Sequence, residues 1–259
     1  MELTHRKRGI CVVAGPWGVG KTTAVDAFAS RKPNECIVLK VERGSSRRGA
    51  SPVATLQQTL EAIRPHIDRP PRASLSNAYW TLRHMMFNYL TEWAVRRSPD
   101  QLGDAPGQPP LLTFVYDEAQ YLSREAIEML RYWNDGDRTV TPFPVGLVFV
   151  GNSEFALEED ASGESPLSGA VRSRALFVEK LEYEDVTDED LRAFVKSRGS
   201  YDEEAISALV AYFAGRRVRR DLRSLMRLDD AIRQRSPRRT ITADLVRAEL
   251  AVAIPVSTC

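Results

Sequence analysis

Gly15-Pro16-Trp17-Gly18-Val19-Gly20-Lys21-Thr22 is the stretch whose reading decides the fold. It has the form G-x-x-x-x-G-K-T. Directly before it stands Ile10-Cys11-Val12-Val13-Ala14, a short apolar run bounded by glycine that reads as a buried strand. Directly after it, residues 21–30 place Val25, Phe28 and Ala29 on one helical face. Strand, glycine loop and helix in that order are the context of a phosphate-binding loop. Glycines let the backbone wrap closely around phosphate oxygens, so that successive N–H groups point inward. The helix N-terminus adds favourable positive potential. The candidate nucleotide-binding residues are therefore Gly15, Pro16, Trp17, Gly18, Val19, Gly20, Lys21, Thr22 and Thr23. Lys21 can bridge the β- and γ-phosphates of ATP, and Thr22 can ligate Mg²⁺. Trp17 occupies a permissive position, where its ring either lies on neighbouring surface or meets a neighbouring subunit.

Outward from this loop, a break at Pro33-Asn34 precedes a second strand over residues 36–41. Pro52 opens a helix carrying Leu56, Leu60 and Ile63. A longer helix, capped by Ser74 or Ser76, carries Tyr79, Leu82, Met86, Tyr89, Leu90 and Trp93, an aromatic stripe read as core packing. Residues 98–110 are rich in Pro, Gly and Asp and read as an exposed loop. Further strands are expected over 111–116, 145–150 and 176–178, with a helix over 123–134. Strands stop after Val186. Helical patterns then cover 188–197, 202–213, 220–233 and 242–252. The expectation is an α/β nucleotide-binding domain over 1–183 with a parallel sheet, then a small helical domain over 184–259.

The run Leu111-Leu112-Thr113-Phe114-Val115-Tyr116-Asp117-Glu118 ends an apolar strand in two adjacent carboxylates. In a parallel sheet that end lies at the carboxyl edge, where ligands bind. Asp117 can hold Mg²⁺, mostly through water, and Glu118 can polarise an attacking water. The strand Val145-Gly146-Leu147-Val148-Phe149-Val150 runs into Gly151-Asn152. Asn152 either orients that water or serves as a turn residue. Arg172 and Arg174 precede the last strand. A guanidinium supplied in trans could stabilise charge developing on the γ-phosphate; the alternative is a surface ion pair.

Composition narrows the function classes. The 259 residues are 43% hydrophobic, enough for a core. Lys and Arg number 36 against 35 Asp and Glu, which excludes a globally basic nucleic-acid binder and leaves room for a basic patch. Cys11, Cys36 and Cys259 are odd in number and widely spaced, giving neither a zinc pattern nor a disulfide framework. A reduced, cytoplasmic protein is expected. No apolar run reaches the roughly 18 residues of a membrane span.

The spacing of the phosphate loop, Asp117-Glu118-Ala119-Gln120, Gly151-Asn152 and Ser173-Arg174, followed by a helical region, resembles AAA+ ATPases. Within them, residues 116–123, Leu130-Arg131-Tyr132-Trp133-Asn134-Asp135 and residues 146–152 resemble transposition regulators of the MuB, TnsC and TniB type. The resemblance covers residues 9 to about 250. Secretion-type ATPases share the Asp-Glu-Ala-Gln run. It implies a five-stranded parallel sheet of order 5-1-4-3-2 flanked by helices, with a small C-terminal helical lid. It makes Lys21 and Thr22 the nucleotide clamp, Asp117 the metal carboxylate, Glu118 the catalytic base and Asn152 the first sensor. Arg174 becomes the preferred finger over Arg172. Arg223, in Arg220-Asp221-Leu222-Arg223, takes the γ-phosphate-sensing role, with Arg220 standing where glycine is usual. A first strand starting near residue 10 leaves no room for a MuB-like N-terminal DNA-binding domain, so a minimal form is expected, with DNA contact made by the ATPase itself.

Two basic clusters could supply that contact. Lys40, Arg43, Arg47 and Arg48 follow the second strand in a Gly- and Ser-rich stretch able to track a phosphate backbone. The second cluster is Arg216, Arg217, Arg219, Arg220, Arg223, Arg227, Arg233, Arg235, Arg238 and Arg239. Either could instead be a solvated face. An acidic run over 154–190 opposes them, and opposite charges on different faces suit head-to-tail assembly into a ring or filament. The expected function is an ATP- and Mg²⁺-dependent ATPase that assembles on duplex DNA. It would select a transposition target, recruit a transposase and respond to a target-selection protein. Hydrolysis would drive disassembly. A secretion-linked ATPase, a helicase loader and a signalling switch without DNA binding are the alternatives.

Overall fold

The computed structural model describes residues 1–43, 49–67, 78–97, 111–137, 139–156, 167–215, 219–235 and 240–252. It comprises two compact units: Met1–Ala14 with Lys21–Lys180, and Gly15–Gly20 with Leu181–Cys259.

The first unit is built on strands β1 (Ile10–Ala14), β2 (Cys36–Lys40), β3 (Thr113–Asp117), β4 (Gly146–Gly151) and β5 (Ala175–Lys180). They form one sheet of order β2-β3-β4-β1-β5, parallel at every pairing. This is the expected order read from the opposite edge. The central strands β3 and β4 are buried at every position, as strands covered on both faces must be. Their side chains alternate between two cores. Phe114, Tyr116, Leu147 and Phe149 face one side, joined by Trp93, Trp133 and Phe155. Val115, Val148 and Val150 face the other, with Cys11, Val25, Phe28 and Cys36. Burial pushes the Cys36 thiol up to about 12, which keeps it protonated and inert.

The helices of this unit are α1 (Glu2–Lys7), α2 (Lys21–Arg31), α3 (Pro52–Ile63), α4 (Tyr79–Arg97), α5 (Arg124–Asn134) and α6 (Gly169–Arg174). Ser51, Ser123 and Ser168 each cap a helix by accepting a backbone N–H three residues on. Of the stripe on α4, Leu82, Met86, Tyr89, Leu90 and Trp93 are buried in the core as expected, and Tyr79 is half-buried against it. Its proposed caps Ser74 and Ser76, and the loop over 98–110, lie outside the described residues. Helix α1 has no counterpart in the sequence reading. It buries Thr4 and His5; the His5 ring bonds the Thr113 hydroxyl through Nδ1 and the Glu35 carboxylate through Nε2, each at 2.9 Å.

The second unit contains α7 (Asp188–Arg198), α8 (Glu203–Ala214), α9 (Leu222–Arg235) and α10 (Ala243–Val252) around Leu191, Val195, Ile206, Leu209, Phe213, Leu225, Ile232 and Val246. Thr187 and Asp190 form a capping box at α7, and Asp202 caps α8. Asp229, only 3% exposed, sits in this core. It accepts from Arg198 Nε at 2.7 Å, from Arg233 Nε at 2.8 Å and from the Tyr201 hydroxyl. Burial and the Asp229 carboxylate together push the Tyr201 phenol up. Removing one partner of a buried pair costs about 3–5 kcal/mol; with both arginines one-third exposed, Asp229→Ala should destabilise this unit by about 2–3 kcal/mol. Denaturant titration would check this, and a loss below about 0.5 kcal/mol would show the cluster to be a solvated surface pair.

Candidate functional site

At the carboxyl end of the sheet, β3 delivers Asp117 and Glu118. The Thr22 hydroxyl, on the first turn of α2, donates to Asp117 Oδ2 at 3.0 Å, and Asp117 Oδ1 accepts the Glu118 N–H at 3.0 Å. Asp117 is 6% exposed. A hydroxyl and a carboxylate side by side at a strand end fit a cation that keeps most of its water, as Mg²⁺ does. Among the described residues no three His, Cys, Asp or Glu side chains converge on an all-protein metal site.

Glu118 adopts φ 59°, ψ 37°, the left-handed region that non-glycine residues seldom occupy. A 3-10 turn over Ala119–Tyr121 follows. Gln120, in that turn, donates from Nε2 to Glu118 Oε2 at 2.6 Å and accepts the Asn152 N–H on Oε1 at 3.1 Å. Asn152 follows β4, and its Oδ1 accepts the Phe155 N–H, closing the turn Ser153–Ala156. The turn role weighed for Asn152 is therefore real. It also fixes the side chain with its amide Nδ2 as the remaining donor.

The structure thus brings Thr22, Asp117, Glu118 and Asn152 into one constellation. Gln120 is the member that residue reading missed. Its only signal was its place in the Asp-Glu-Ala-Gln run.

Arg172 and Arg174 lie on α6. Arg174, 45% exposed, pairs through Nε with Asp135 Oδ1 at 2.9 Å, while Asp135 Oδ2 takes Arg131 at 2.7 Å. The weighed alternative, an ion pair, is thus present at Arg174.

Within the second unit, the phosphate-loop residues Gly18 and Gly20 have φ of 87° and 88°. Leu222 N–H donates to the Gly18 carbonyl at 2.8 Å, and the Tyr183 hydroxyl donates to the Trp17 carbonyl at 3.0 Å. Asp221 stands just before α9, accepting the Arg223 N–H at 2.9 Å, and a Cβ on Gly18 would fall 1.5 Å from its Oδ1. The Trp17 ring is 67% exposed, and Arg223 is exposed on α9. Lys21→Ala removes the ammonium expected to face the β- and γ-phosphates. ATP affinity should fall at least about 100-fold, the scale of lost charge-assisted bonds. Unchanged affinity in equilibrium dialysis would contradict the assignment.

Of the basic clusters, Lys40 and Arg43 are exposed, while Arg47 and Arg48 lie outside the described residues. Both borders of this stretch bind the segment that carries Glu118. Val41 N–H donates to the Asp117 carbonyl at 2.8 Å, Ala50 N–H to Tyr121 at 2.6 Å, and Ser123 N–H to Ala50 at 3.0 Å. In the second cluster Arg220 pairs with Asp188, Arg233 with Asp229 and Arg235 with Glu249; Arg219 stands over the Tyr183 ring. Arg216, Arg217, Arg238 and Arg239 lie outside the described residues.

A family model described as an AAA domain matches residues 4–157. No curated protein matches the chain. Among solved structures, the fold is similar to Cdc6p from Pyrobaculum aerophilum, with a TM-score of 0.58 and 15% identity over 96% of this chain and 62% of that one. It is also similar to the RuvB Holliday junction branch migration motor of Thermotoga maritima, with a TM-score of 0.50 and 18% identity over 94% and 61%. At such identities the likeness is one of fold. The chain spans about three-fifths of the length of these structures. No helix among the described residues is long and apolar enough to cross a membrane.

Proposed function

The chain belongs to the AAA-domain family, and on that footing we propose that it hydrolyses ATP to drive assembly on duplex DNA in the regulation of transposition. The observation that carries the ATPase reading is the contact of Thr22 with Asp117 at 3.0 Å, with Glu118 next in the chain at the end of β3. Thr22 and Asp117 would hold Mg²⁺, which neutralises charge on the phosphates when bound. Glu118 takes a proton from water as its oxygen attacks the γ-phosphorus; the bond to the β–γ bridging oxygen breaks, releasing ADP and phosphate. Asn152 Nδ2 orients that water. Arg174, presented by one subunit to its neighbour's nucleotide, stabilises the charge that develops in transfer. Arg223 senses the γ-phosphate, as in the family the sequence resembles.

Two observations support the placing of DNA on the 40–48 stretch. Its borders are hydrogen-bonded to the Glu118 segment, so phosphate contact there has a short hydrogen-bonded route to the base. Three arginines of the rival cluster already neutralise carboxylates of their own unit. The resemblance of residues 116–123, 130–135 and 146–152 to transposition regulators supports a transposase as the protein partner. Sedimentation of the protein with duplex DNA tests the reading. With a non-hydrolysable ATP analogue, large DNA-bound assemblies are expected, and with ADP they should be absent. DNA binding indifferent to nucleotide would overturn it.

A further inference from the structure

We propose that Gln120 is a positioning residue for ATP hydrolysis, acting by holding the carboxylate of Glu118. The proposal rests on the reading of Glu118 as the base. The orientation of the Gln120 amide is fixed by chemistry. The Asn152 N–H can only donate, so the oxygen of Gln120 must face it at 3.1 Å, and Nε2 is thereby turned to Glu118 Oε2 at 2.6 Å. A bond of that length to a carboxylate belongs to the charge-assisted class.

The Glu118 side chain has three rotatable bonds and stands on a left-handed residue outside both β3 and the turn that follows. No regular backbone pattern dictates where its carboxylate goes, and the bond from Gln120 supplies that constraint. The support is itself held at both ends. Tyr121 N–H donates to the Glu118 carbonyl at 3.0 Å, and Ala50 clasps the far side of the turn through Tyr121 and Ser123. Because Gln120 also reads the main chain of Asn152, the base after β3 and the amide after β4 keep one fixed separation. A base displaced by an ångström from its water loses rate without losing nucleotide.

Single-turnover hydrolysis and ATP binding in Gln120→Ala, Glu118→Ala and the double variant decide the matter. Gln120→Ala should hydrolyse about 10–100-fold more slowly, with ATP affinity within about twofold of wild type. In the Glu118→Ala background, adding Gln120→Ala should cost nothing further, since the group it positions is gone. Gln120→Glu keeps an acceptor for Asn152 but sets a carboxylate against a carboxylate; it should lose at least as much rate as Gln120→Ala. The same loss from Gln120→Ala in both backgrounds, or a near-wild-type rate for Gln120→Glu, would overturn the proposal. Wild-type hydrolysis by Glu118→Ala alone is a different result: it would overturn the reading of Glu118 as base, and the positioning role with it.

Discussion

Replacing Arg174 by alanine is expected to lower ATP turnover of the assembled protein by about 10³–10⁵-fold, the range seen when an arginine finger is lost, while leaving ATP binding by the isolated subunit intact. Helix α6 ends at Arg174, and the side chain is exposed with its Nε on Asp135. That contact occupies one edge of the guanidinium and leaves the terminal nitrogens for phosphate oxygens. Arg174→Lys should rescue little, because a point charge cannot hold Asp135 and phosphate together in the same plane. A mixing experiment reads the geometry directly. Arg174→Ala and Glu118→Gln subunits are each inactive alone. Mixed, they can form junctions that pair an intact Glu118 with a neighbour's intact Arg174, and partial activity should return. With mixed assembly confirmed, no recovery counts against Arg174 as a group acting in trans.

Glu118→Gln should reduce turnover by about 10²–10⁴-fold, the usual contribution of a positioned general base. Nucleotide binding should persist, since Thr22 and Asp117 are untouched. Trapped in the ATP state, the variant should stay on DNA longer than wild type, which dissociation kinetics would show. Turnover near the wild-type rate would remove Glu118 from the base role.

The parts of this site legible in the sequence are those that local chain chemistry dictates. Residues 10–14, 111–116 and 145–150 read as strands because parallel strands buried on both faces are continuous apolar runs, ended here by glycine or carboxylates. Sheet order followed from resemblance. Helix α1 was not legible: Glu2–Lys7 is six residues, half of them Glu, Arg or Lys, and it buries polar Thr4 and His5 rather than an apolar stripe. The start of α9 was expected at Arg220 and falls at Leu222, because the Asp221 carboxylate takes the Arg223 N–H and marks the helix start. That cap could have been read from the sequence. Gln120 could not, since its role depends on a left-handed Glu118 and on the main chain of Asn152, 32 residues away. The arginines of 219–235 looked like one basic face for the same reason. Their partners Asp188 and Glu249 are distant in sequence, and Asp229 gives no sign of being buried.

The central claim, that the ATP state grips DNA through phosphate contacts of the 40–48 stretch, is tested most directly by the salt dependence of duplex binding in the presence of a non-hydrolysable ATP analogue. Wild type should lose affinity linearly in log–log form, with a slope of about −0.9 for each phosphate neutralised. The variant Arg43→Ala, Arg47→Ala, Arg48→Ala should bind ATP normally yet flatten the slope by up to about three units per subunit bound, equally for unrelated DNA sequences. A triple variant with the wild-type slope, or a wild type whose binding ignores the nucleotide, would contradict the claim.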